Sequence, residues 1–291
     1  MVSSPFDPDN HKAYRAWREQ KLADYPASLD DLLVEIRDPR RLTEAEEKAI
    51  RTRCRKANMA IYASHTLDDP DKAIVRGLGR RFGLERLDHN MCADDDAITS
   101  LTVQADPLHR TYIPYSNRPI AWHTDGYYNH LNRQIHGLIL HCVEPAEEGG
   151  ENDLLDHEIA YLLLRDENPD YIRALMHPEA MTIPANVVDG KEIRPAQTGP
   201  VFSIHSDGHL HMRYTARTRS IEWRNDAATG EAVAFLARLL TEDAPWHFRG
   251  KLQAGQGLIG NNILHTRTAF TDGEHKRLLY RARYYDRIGG T

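Results

Sequence analysis

Three side chains stand out as ligands for one metal ion: His123 and Asp125, two positions apart, and His265, far along the chain. Two imidazoles and one carboxylate can hold Fe(II) by one face and leave the opposite face open for a cosubstrate and O₂. On a strand, positions i and i+2 face the same side, so His123 and Asp125 can bind one ion without backbone strain. The third ligand must come from another strand, and His265 ends an apolar run as such a ligand should.

The chain contains a second His-x-Asp pair, His205 and Asp207, which also lies upstream of His265. This pair stays an alternative source of two ligands. We favour the earlier pair because Asp207 begins an Asp-Gly dipeptide between two alternating apolar runs, a pattern that predicts a β-hairpin. In such a turn the aspartate side chain would point to solvent.

Two arginines, Arg277 and Arg281, follow His265 by 12 and 16 residues. One turn and one antiparallel strand would bring them back alongside the histidine. A planar guanidinium forms bidentate pairs with carboxylates, so this strand could hold the far carboxylate of 2-oxoglutarate beside the metal. Arg283 continues the same alternation, and for this residue an outward-facing, solvated side chain is an equal alternative.

The elements that must position these residues change in type along the chain. Residues 8–60 look helical, whereas strands and turns dominate from Trp122 onward. The predicted helices are 12–22, 43–56, 71–82, 153–165, 169–176 and 230–240, and the predicted strands are 58–63, 98–103, 137–143, 201–205, 209–214, 257–265 and 277–285. No linker or repeat divides the chain, so we expect one domain, 1–291, with a helical region at 1–55 packed on a mainly β core at 56–288.

Composition excludes several classes of protein. A net charge of −6 over 291 residues argues against the basic stripe that a nucleic-acid partner requires. No apolar run reaches the roughly eighteen residues of a membrane span, and the amino terminus lacks the layout of a signal peptide. The cysteines, Cys54, Cys92 and Cys142, form no Cys-x-x-Cys pair and suggest reduced thiols. We therefore expect a cytoplasmic protein without a membrane or nucleic-acid partner; a homo-oligomer is compatible with the sequence.

The chain resembles the taurine and 2,4-dichlorophenoxyacetate dioxygenase (TauD/TfdA) family of Fe(II)/2-oxoglutarate-dependent enzymes. The similar segments keep their order along the chain: Trp122–Gly126, Gly149–Asn152, Gly257–Phe270 and Arg277–Arg281. The resemblance implies a double-stranded β-helix (jelly-roll, cupin-like) core with flanking helices. It also implies that the three metal ligands proposed above bind Fe(II), and that 2-oxoglutarate and O₂ are cosubstrates.

The resemblance further implies roles for single residues. Arg277 would bind the distal carboxylate of 2-oxoglutarate. Asn152 stands where the family usually has a threonine that contacts this cosubstrate, and an amide can donate the same hydrogen bond. Arg281 stands where some members hold the acidic group of the primary substrate. Related halogenases lack a carboxylate at the position of Asp125, so the expected reaction is oxidation of a substrate C–H bond, in the first place hydroxylation, with release of succinate and CO₂.

The primary substrate should bind over the open face of the metal, and the arginines favour a small anionic or zwitterionic molecule. The candidate contacts are Arg281, Tyr127, Tyr128, Asn129, Tyr112, Arg213 and Arg217. Core packing is an equal alternative for the tyrosines, as a solvated face is for Arg213 and Arg217. Two other functions stay open: a non-redox hydrolase or isomerase that uses the same ligands with zinc or manganese, and a non-catalytic small-molecule-binding jelly-roll protein.

Overall fold

The structure, a computed structural model, describes residues 4–89, 94, 96–104, 112–217, 221–242 and 244–291. The chain divides into two compact units, each assembled from three separate segments. The first unit comprises Met1–Tyr25, Trp122–Gln134 and Leu155–Trp246, and the second comprises Pro26–Ala121, Ile135–Leu154 and His247–Thr291. The prediction of a single domain stays a prediction.

The helices and strands alternate irregularly along the chain. The helices are α1 His11–Leu22, α2 Leu29–Leu32, α3 Glu44–Ala57, α4 Ala73–Arg81, α5 His157–Glu167, α6 Pro169–Leu175 and α7 Ala227–Thr241. The strands are β1 Leu33–Ile36, β2 Met59–Ser64, β3 Thr99–Leu101, β4 Ile120–His123, β5 Gly137–Glu144, β6 Glu148–Gly149, β7 Asn152–Leu155, β8 Met181–Ile183, β9 Asn186–Val188, β10 Lys191–Arg194, β11 Gln197–Gly199, β12 Phe202–Ile204, β13 Leu210–Met212, β14 Glu222–Trp223, β15 Phe248–Gly250, β16 Gln256–Gly260, β17 Leu264–Arg267, β18 Phe270–Thr271 and β19 Leu278–Tyr284. Among the described residues, no helix combines the length and the apolar character that crossing a bilayer requires.

The second unit contains the two larger sheets. One has the strand order β1-β2-β16-β5-β19-β3, in which β1 and β2 are parallel and the other neighbours antiparallel. The other has the order β15-β7-β17-β4. Strand β4 begins in the second unit, and its last two residues, Trp122 and His123, belong to the first unit. Strand β5 is buried along nearly its whole length, as its apolar sequence predicts.

The core of the second unit packs against the six-stranded sheet and includes residues of α3 and α4. Helix α3 begins where the sequence predicts, because Thr43 and Glu46 form a capping box: Thr43 Oγ1 accepts from the Glu46 amide (3.2 Å) and Glu46 Oε2 accepts from the Thr43 amide (2.7 Å). The helix ends at Asn58, which adopts the left-handed conformation with φ 57°. Cys54 and Cys142 are free, buried thiols, and Cys92 lies outside the described residues.

The first unit combines α1, α5, α6 and α7 with small sheets, β11-β8-β14, β9-β10 and β12-β13. Buried charges fasten its amino-terminal helix to α5. Lys21 of α1 forms ion pairs with Asp156 (2.6 Å) and Glu158 (2.7 Å), all three largely buried. The hydroxyl of Tyr14 donates to Asp166 Oδ1 (2.7 Å). The amino-terminal segment is therefore an integral part of this unit.

Two segments that the sequence predicts to be helical are not helices. Leu33–Ile36 is a strand, because its alternate side chains enter the core while its backbone pairs in parallel with β2. The helix predicted at 153–165 begins only at His157, since Asp156 accepts a hydrogen bond from the amide of Glu158 (2.9 Å) and caps it. The residues before this cap belong to β7.

The long strand predicted at 257–265 is two strands. Asn262 adopts a left-handed conformation with φ 52° and turns the chain between β16 and β17. Its side-chain nitrogen donates to the carbonyl of Ile135 (2.7 Å), which holds this corner in place. Asparagine tolerates the left-handed region better than most residues do, which explains why it stands here.

Candidate active site

The His-x-Asp segment lies at the end of β4 and is fixed by pairing with the residues that follow β13. The amide of Thr124 donates to Tyr214 O (3.0 Å), and the amide of Tyr214 donates to Thr124 Oγ1 (3.1 Å). His123 forms an isolated antiparallel bridge with Thr215. His123 Nε2 lies 3.8 Å from Asp125 Oδ1, and 12% and 4% of the two side chains are exposed. An imidazole and a carboxylate thus stand side by side in a largely dry part of the first unit.

Two of the three residues predicted to contact the substrate after this motif stay next to it. The ring centroid of Tyr127 lies 6.4 Å from that of His123, and the centroid of Tyr128 lies 5.2 Å from that of Tyr127, both nearly edge-on. Asn129 stabilises the turn, because its side-chain nitrogen donates to the carbonyl of Arg133 (3.0 Å). Proximity to the motif therefore favours the tyrosines as substrate contacts.

The third predicted metal ligand, His265, is buried on β17 in the second unit. Its Nδ1 lies 3.0 Å from the carbonyl oxygen of Ile263. A carbonyl only accepts, so the neutral ring carries its proton on Nδ1 and has its lone pair on Nε2. This is the tautomer that a metal-ligating histidine adopts when its other nitrogen is held by a hydrogen bond.

Arg277 lies directly before β19 and is 4% exposed. Its guanidinium carbon lies 4.9 Å from the ring centroid of Phe270, and its backbone amide donates to Asp272 Oδ1 (2.9 Å). Its buried Nη1 has no hydrogen-bond partner in the part of the chain that the structure describes. Burial lowers the pKa of this guanidinium, and Cys142 and Asp272 offset the effect only in part. A buried charge of this kind is stabilised by an anion.

Arg277 and Asn152 line the same small cavity in the second unit, together with Lys251. Asn152 Nδ2 donates to the carbonyl of Thr266 (2.6 Å). An amide has two N–H donors and a carbonyl acceptor, so Asn152 retains donor capacity toward a ligand. The two residues that the sequence connected with 2-oxoglutarate are therefore neighbours of one cavity.

Other arginines of the second unit add to its buried positive charge. Burial lowers the pKa of Arg267 to about 9, and the charges of Arg277 and Arg281 act in the same direction. Arg281 is 9% exposed on β19. Arg283, for which an outward-facing side chain was an equal alternative, is instead buried and forms an ion pair with Asp88. The face of β19 that carries the arginines is thus an interior face.

Arg267 is a buried arginine of this region to which the sequence motifs assign no role. Its Nη2 donates to the carbonyls of Ser116 (2.7 Å) and Arg118 (2.6 Å), and its guanidinium carbon lies 4.9 Å from the ring centroid of Phe270. Arg267 therefore fixes the segment before β4. Half-buried Tyr112, a predicted substrate contact, lies at the start of the same segment.

Arg213 is held by backbone carbonyls, which argues against the expectation that it contacts the substrate. It is 1% exposed, and its guanidinium donates to the carbonyls of Met181 (2.7 Å), Gln197 (3.2 Å) and Gly199 (3.1 Å). These acceptors lie on β8 and β11, so the side chain holds strands of the first unit together. Arg217, the other arginine predicted in this stretch, is exposed.

The alternative His-x-Asp pair lies in a hairpin between β12 and β13. Asp207 is exposed, and its Oδ1 accepts a hydrogen bond from the amide of His209 (3.1 Å). Gly208 adopts φ 89° in the turn. The predicted Asp-Gly hairpin is confirmed, and an aspartate used in this way is a poor partner for His205 in metal binding.

Comparison with known proteins assigns the chain to a family. Residues 33–283 match the model of the taurine catabolism dioxygenase TauD, TfdA family, and the chain belongs to this family. It is 32% identical over 170 residues to a uridine-5′-phosphate dioxygenase from Amycolatopsis sp, a match that covers 56% of this chain and 60% of the relative. It is 30% identical over 199 residues to one from Streptomyces sp, covering 65% and 69%. The chain thus spans less than two thirds of the first relative.

A solved structure extends the comparison to the fold. An asparagine oxygenase in complex with Fe(II), a hydroxyasparagine and succinate has a TM-score of 0.60 and 14% identity, over 97% of this chain and 86% of that chain. This similarity confirms the predicted double-stranded β-helix. The family match agrees with the predicted class, an Fe(II)/2-oxoglutarate-dependent dioxygenase, and favours it over the hydrolase, isomerase and non-catalytic alternatives.

Proposed function

We propose that this dioxygenase hydroxylates a C–H bond of a small anionic substrate, and that nucleoside 5′-monophosphates are the substrate class to test first. The two relatives act, by their names, on uridine 5′-phosphate, a small anion of the kind that the arginines favour. In the balanced reaction, one atom of O₂ enters the substrate as a hydroxyl group. The other enters 2-oxoglutarate as it loses CO₂ and becomes succinate.

His123, Asp125 and His265 are the proposed Fe(II) ligands. Each offers one ligand atom, and two neutral imidazoles with one carboxylate suit Fe(II) while leaving three coordination positions for other ligands. The side-by-side arrangement of His123 and Asp125 supports this proposal, as does the hydrogen bond that directs the His265 proton to Nδ1.

The proposal rests mainly on the burial of Arg277 and on the surroundings of its Nη1 atom. A buried guanidinium whose Nη1 lacks a hydrogen-bond partner in the described chain lines a cavity beside Asn152. We assign this pair to the distal carboxylate of 2-oxoglutarate, which would accept from the guanidinium and neutralise its charge. Phe270 keeps the guanidinium in position through its ring face.

The proposed roles of the chain are ligation, orientation and exclusion of water. When bound, Fe(II) supplies the centre at which 2-oxoglutarate and O₂ react. Arg277 orients the cosubstrate from its far end, and the carbonyl of Ile263 holds the His265 ring in the required tautomer. The burial of Asp125 and His265 keeps bulk water away from the ligands.

The proposed contacts to the primary substrate come from both sides of the metal motif in the sequence. Tyr127 and Tyr128 follow the motif directly, and Arg281 stands where some members of the family hold the acidic group of their substrate. The full proposed set is Tyr112, Tyr127, Tyr128, Asn129, Arg217 and Arg281. Hydroxyl, amide and guanidinium donors of this kind suit an anion with polar groups around it.

The test of this function measures succinate and oxidised product from 2-oxoglutarate, Fe(II), ascorbate and uridine 5′-phosphate. We expect the two products in equal amounts, and Asp125→Ala should abolish both.

Arg277→Met should raise the KM for 2-oxoglutarate about 10- to 100-fold, because a hydrogen bond to a charged group contributes about 1.5–3 kcal/mol. Arg80→Met, which removes an exposed arginine of α4 in the same unit, is the matched control.

Three results would contradict the proposal: two would reject the cosubstrate site, and one would reject the substrate class. Wild-type protein that forms no succinate with any anionic substrate, or an unchanged KM in Arg277→Met, would reject the assigned cosubstrate site. Succinate formation without oxidation of a nucleotide would retain the oxygenase and reject the substrate class.

We also propose a cytoplasmic location and a small-molecule substrate rather than a nucleic-acid or membrane partner. The free thiols of Cys54 and Cys142 and the net charge of −6 support these two points. A homo-oligomer stays compatible with the sequence.

A further inference from the structure

Arg194 is a half-buried arginine of the first unit that the motifs do not explain. It ends β10, and it fixes the base of the β9-β10 hairpin: Nη2 donates to the carbonyl of Pro184 (2.7 Å) and Nη1 to the carbonyl of Pro195 (2.9 Å). Its guanidinium carbon lies 6.0 Å from the ring centroid of Tyr128. The charge is therefore held in one place by two backbone acceptors and an aromatic ring.

A series of ring contacts connects Arg194 with the His-x-Asp segment. The ring of Tyr128 packs edge-on against Tyr127, at 5.2 Å, and the ring of Tyr127 packs edge-on against His123, at 6.4 Å. All of these residues belong to the first unit. Arg194 is thus placed beside the two tyrosines that follow the proposed metal ligands, where the primary substrate is expected.

In the part of the chain that the structure describes, Arg194 contacts backbone carbonyls and an aromatic ring rather than a carboxylate. Burial lowers the pKa of this guanidinium, and the nearby phenols of Tyr127 and Tyr128 only partly offset this. Within the described ranges, no carboxylate forms an ion pair with Arg194, whereas buried Lys21 of the same unit has two. A guanidinium has five N–H donors, and the two carbonyls use only two of them. The remaining donors suit an anion with several oxygens.

We infer that Arg194, with Tyr127 and Tyr128, forms the subsite for the anionic group of the primary substrate, a phosphate monoester. The inference rests on the proposed function and deepens it, because it names the residue that selects a phosphorylated substrate. The guanidinium pairs with two phosphate oxygens, and the phenols add neutral donors. A dephosphorylated analogue would leave the half-buried charge without an anionic partner and would bind less well.

The test measures binding rather than turnover. Uridine 5′-phosphate and uridine are titrated calorimetrically, without O₂, into protein loaded with Mn(II) and 2-oxoglutarate. Arg194→Gln should weaken binding of the nucleotide about 10- to 100-fold, the equivalent of about 1.5–3 kcal/mol, and leave uridine and 2-oxoglutarate within about twofold. Arg194→Lys keeps the charge and should restore part of the nucleotide affinity.

Arg238→Gln is the matched control, because Arg238 is an exposed arginine of α7 in the same unit and also lies over a ring, that of Phe235 at 5.4 Å. Equal losses for nucleotide and nucleoside, with no rescue by lysine, would show that Arg194 only stabilises the hairpin and would overturn the inference. Unchanged nucleotide affinity in Arg194→Gln would overturn it as well. Wild-type protein that forms succinate but binds no uridine 5′-phosphate would overturn the subsite and leave the oxygenase standing.

Discussion

His141 is a buried histidine whose protonation is coupled to folding. It lies on β5, its ring is stacked at 12° against Tyr62, and its Nδ1 lies 3.0 Å from the Tyr62 hydroxyl. Its Nε2 has no hydrogen-bond partner among the described residues. Burial lowers the pKa of His141 to about 4. The folded protein therefore keeps the ring neutral at pH values where the unfolded chain, with a pKa of about 6.5, takes up a proton.

The free energy of unfolding should consequently fall as the pH decreases from about 6.5 to about 4. Above this window both states hold a neutral ring and the contribution is fully present; within it the unfolded state binds more protons and is favoured. The pKa difference of about 2.5 between the two states corresponds to at most about 3.4 kcal/mol. Denaturant titrations at a series of pH values should show a shallower fall for His141→Gln than for the wild type. The exposed His65→Gln is the control, and parallel curves for wild type and His141→Gln would refute the coupling.

Single residues also show how far the site could be predicted. The types and spacing of His123, Asp125 and Arg277 are enough to suggest their chemistry, because few other functions need these groups together. The sequence did not reveal the backbone contacts of Arg213, and it gave Arg194 no role. Alternation along a strand does not show whether a guanidinium contacts carbonyl oxygens or a ligand. The only local signal at Arg194 is the proline that follows it, which marks the hairpin base.

At the scale of elements, Arg213 joins β8 and β11 with the segment after β13. Its Nε also donates to the carbonyl of Pro200 (3.3 Å), which follows β11, so one side chain binds four backbone acceptors. Arg213→Met should lower the free energy of unfolding by at least about 3 kcal/mol, because buried carbonyls lose their donors. Lysine should not restore it, since a single ammonium group cannot match the planar fork.

Denaturant titration of the full chain measures this loss, with Arg217→Met as a stability control. Arg217 is exposed nearby, so its substitution should change the free energy of unfolding by less than about 0.5 kcal/mol. Equal stabilities of the Arg213 and Arg217 variants would show that water replaces the guanidinium and that the strands do not depend on it.

The elements were predictable where local chemistry determines them. An Asp-Gly turn between alternating runs defines the β12-β13 hairpin, and a capping box defines the start of α3. Strand β1 was missed because its residues pair in parallel with β2, a partner about 28 positions away that local periodicity does not reveal. The turn at Asn262 between β16 and β17 was not predicted, because an asparagine in an apolar run does not by itself indicate a left-handed conformation.

At the scale of the whole molecule, the order of four motifs was enough to predict the family and fold. The division into two units, each made of three sequence segments, was not predictable from them. The motifs contain the residues that the chemistry requires, and they give little information on how the segments between them pack. The first unit, with α1 and α5 to α7, is built largely from such segments.

Metal and cosubstrate should stabilise the folded chain as ligands that bind only the native state. At 100 times the dissociation constant, a ligand adds about 2.7 kcal/mol, which corresponds to a rise in Tm of roughly 5–10 °C. Mn(II) followed by 2-oxoglutarate should therefore raise the Tm in two steps, and EDTA should reverse both, because the keto acid needs the metal.

Three variants separate these two steps. Asp125→Ala and His265→Ala should each abolish the rise in Tm that Mn(II) causes (the metal step). Each residue supplies one of three ligands, although the two lie far apart in sequence. Arg277→Met should retain the metal step and lose most of the 2-oxoglutarate step, because the guanidinium contacts only the cosubstrate. Thermal unfolding followed by fluorescence measures all three. A normal metal step in His265→Ala would remove His265 from the ligand set, and the first unit would then have to supply the third ligand.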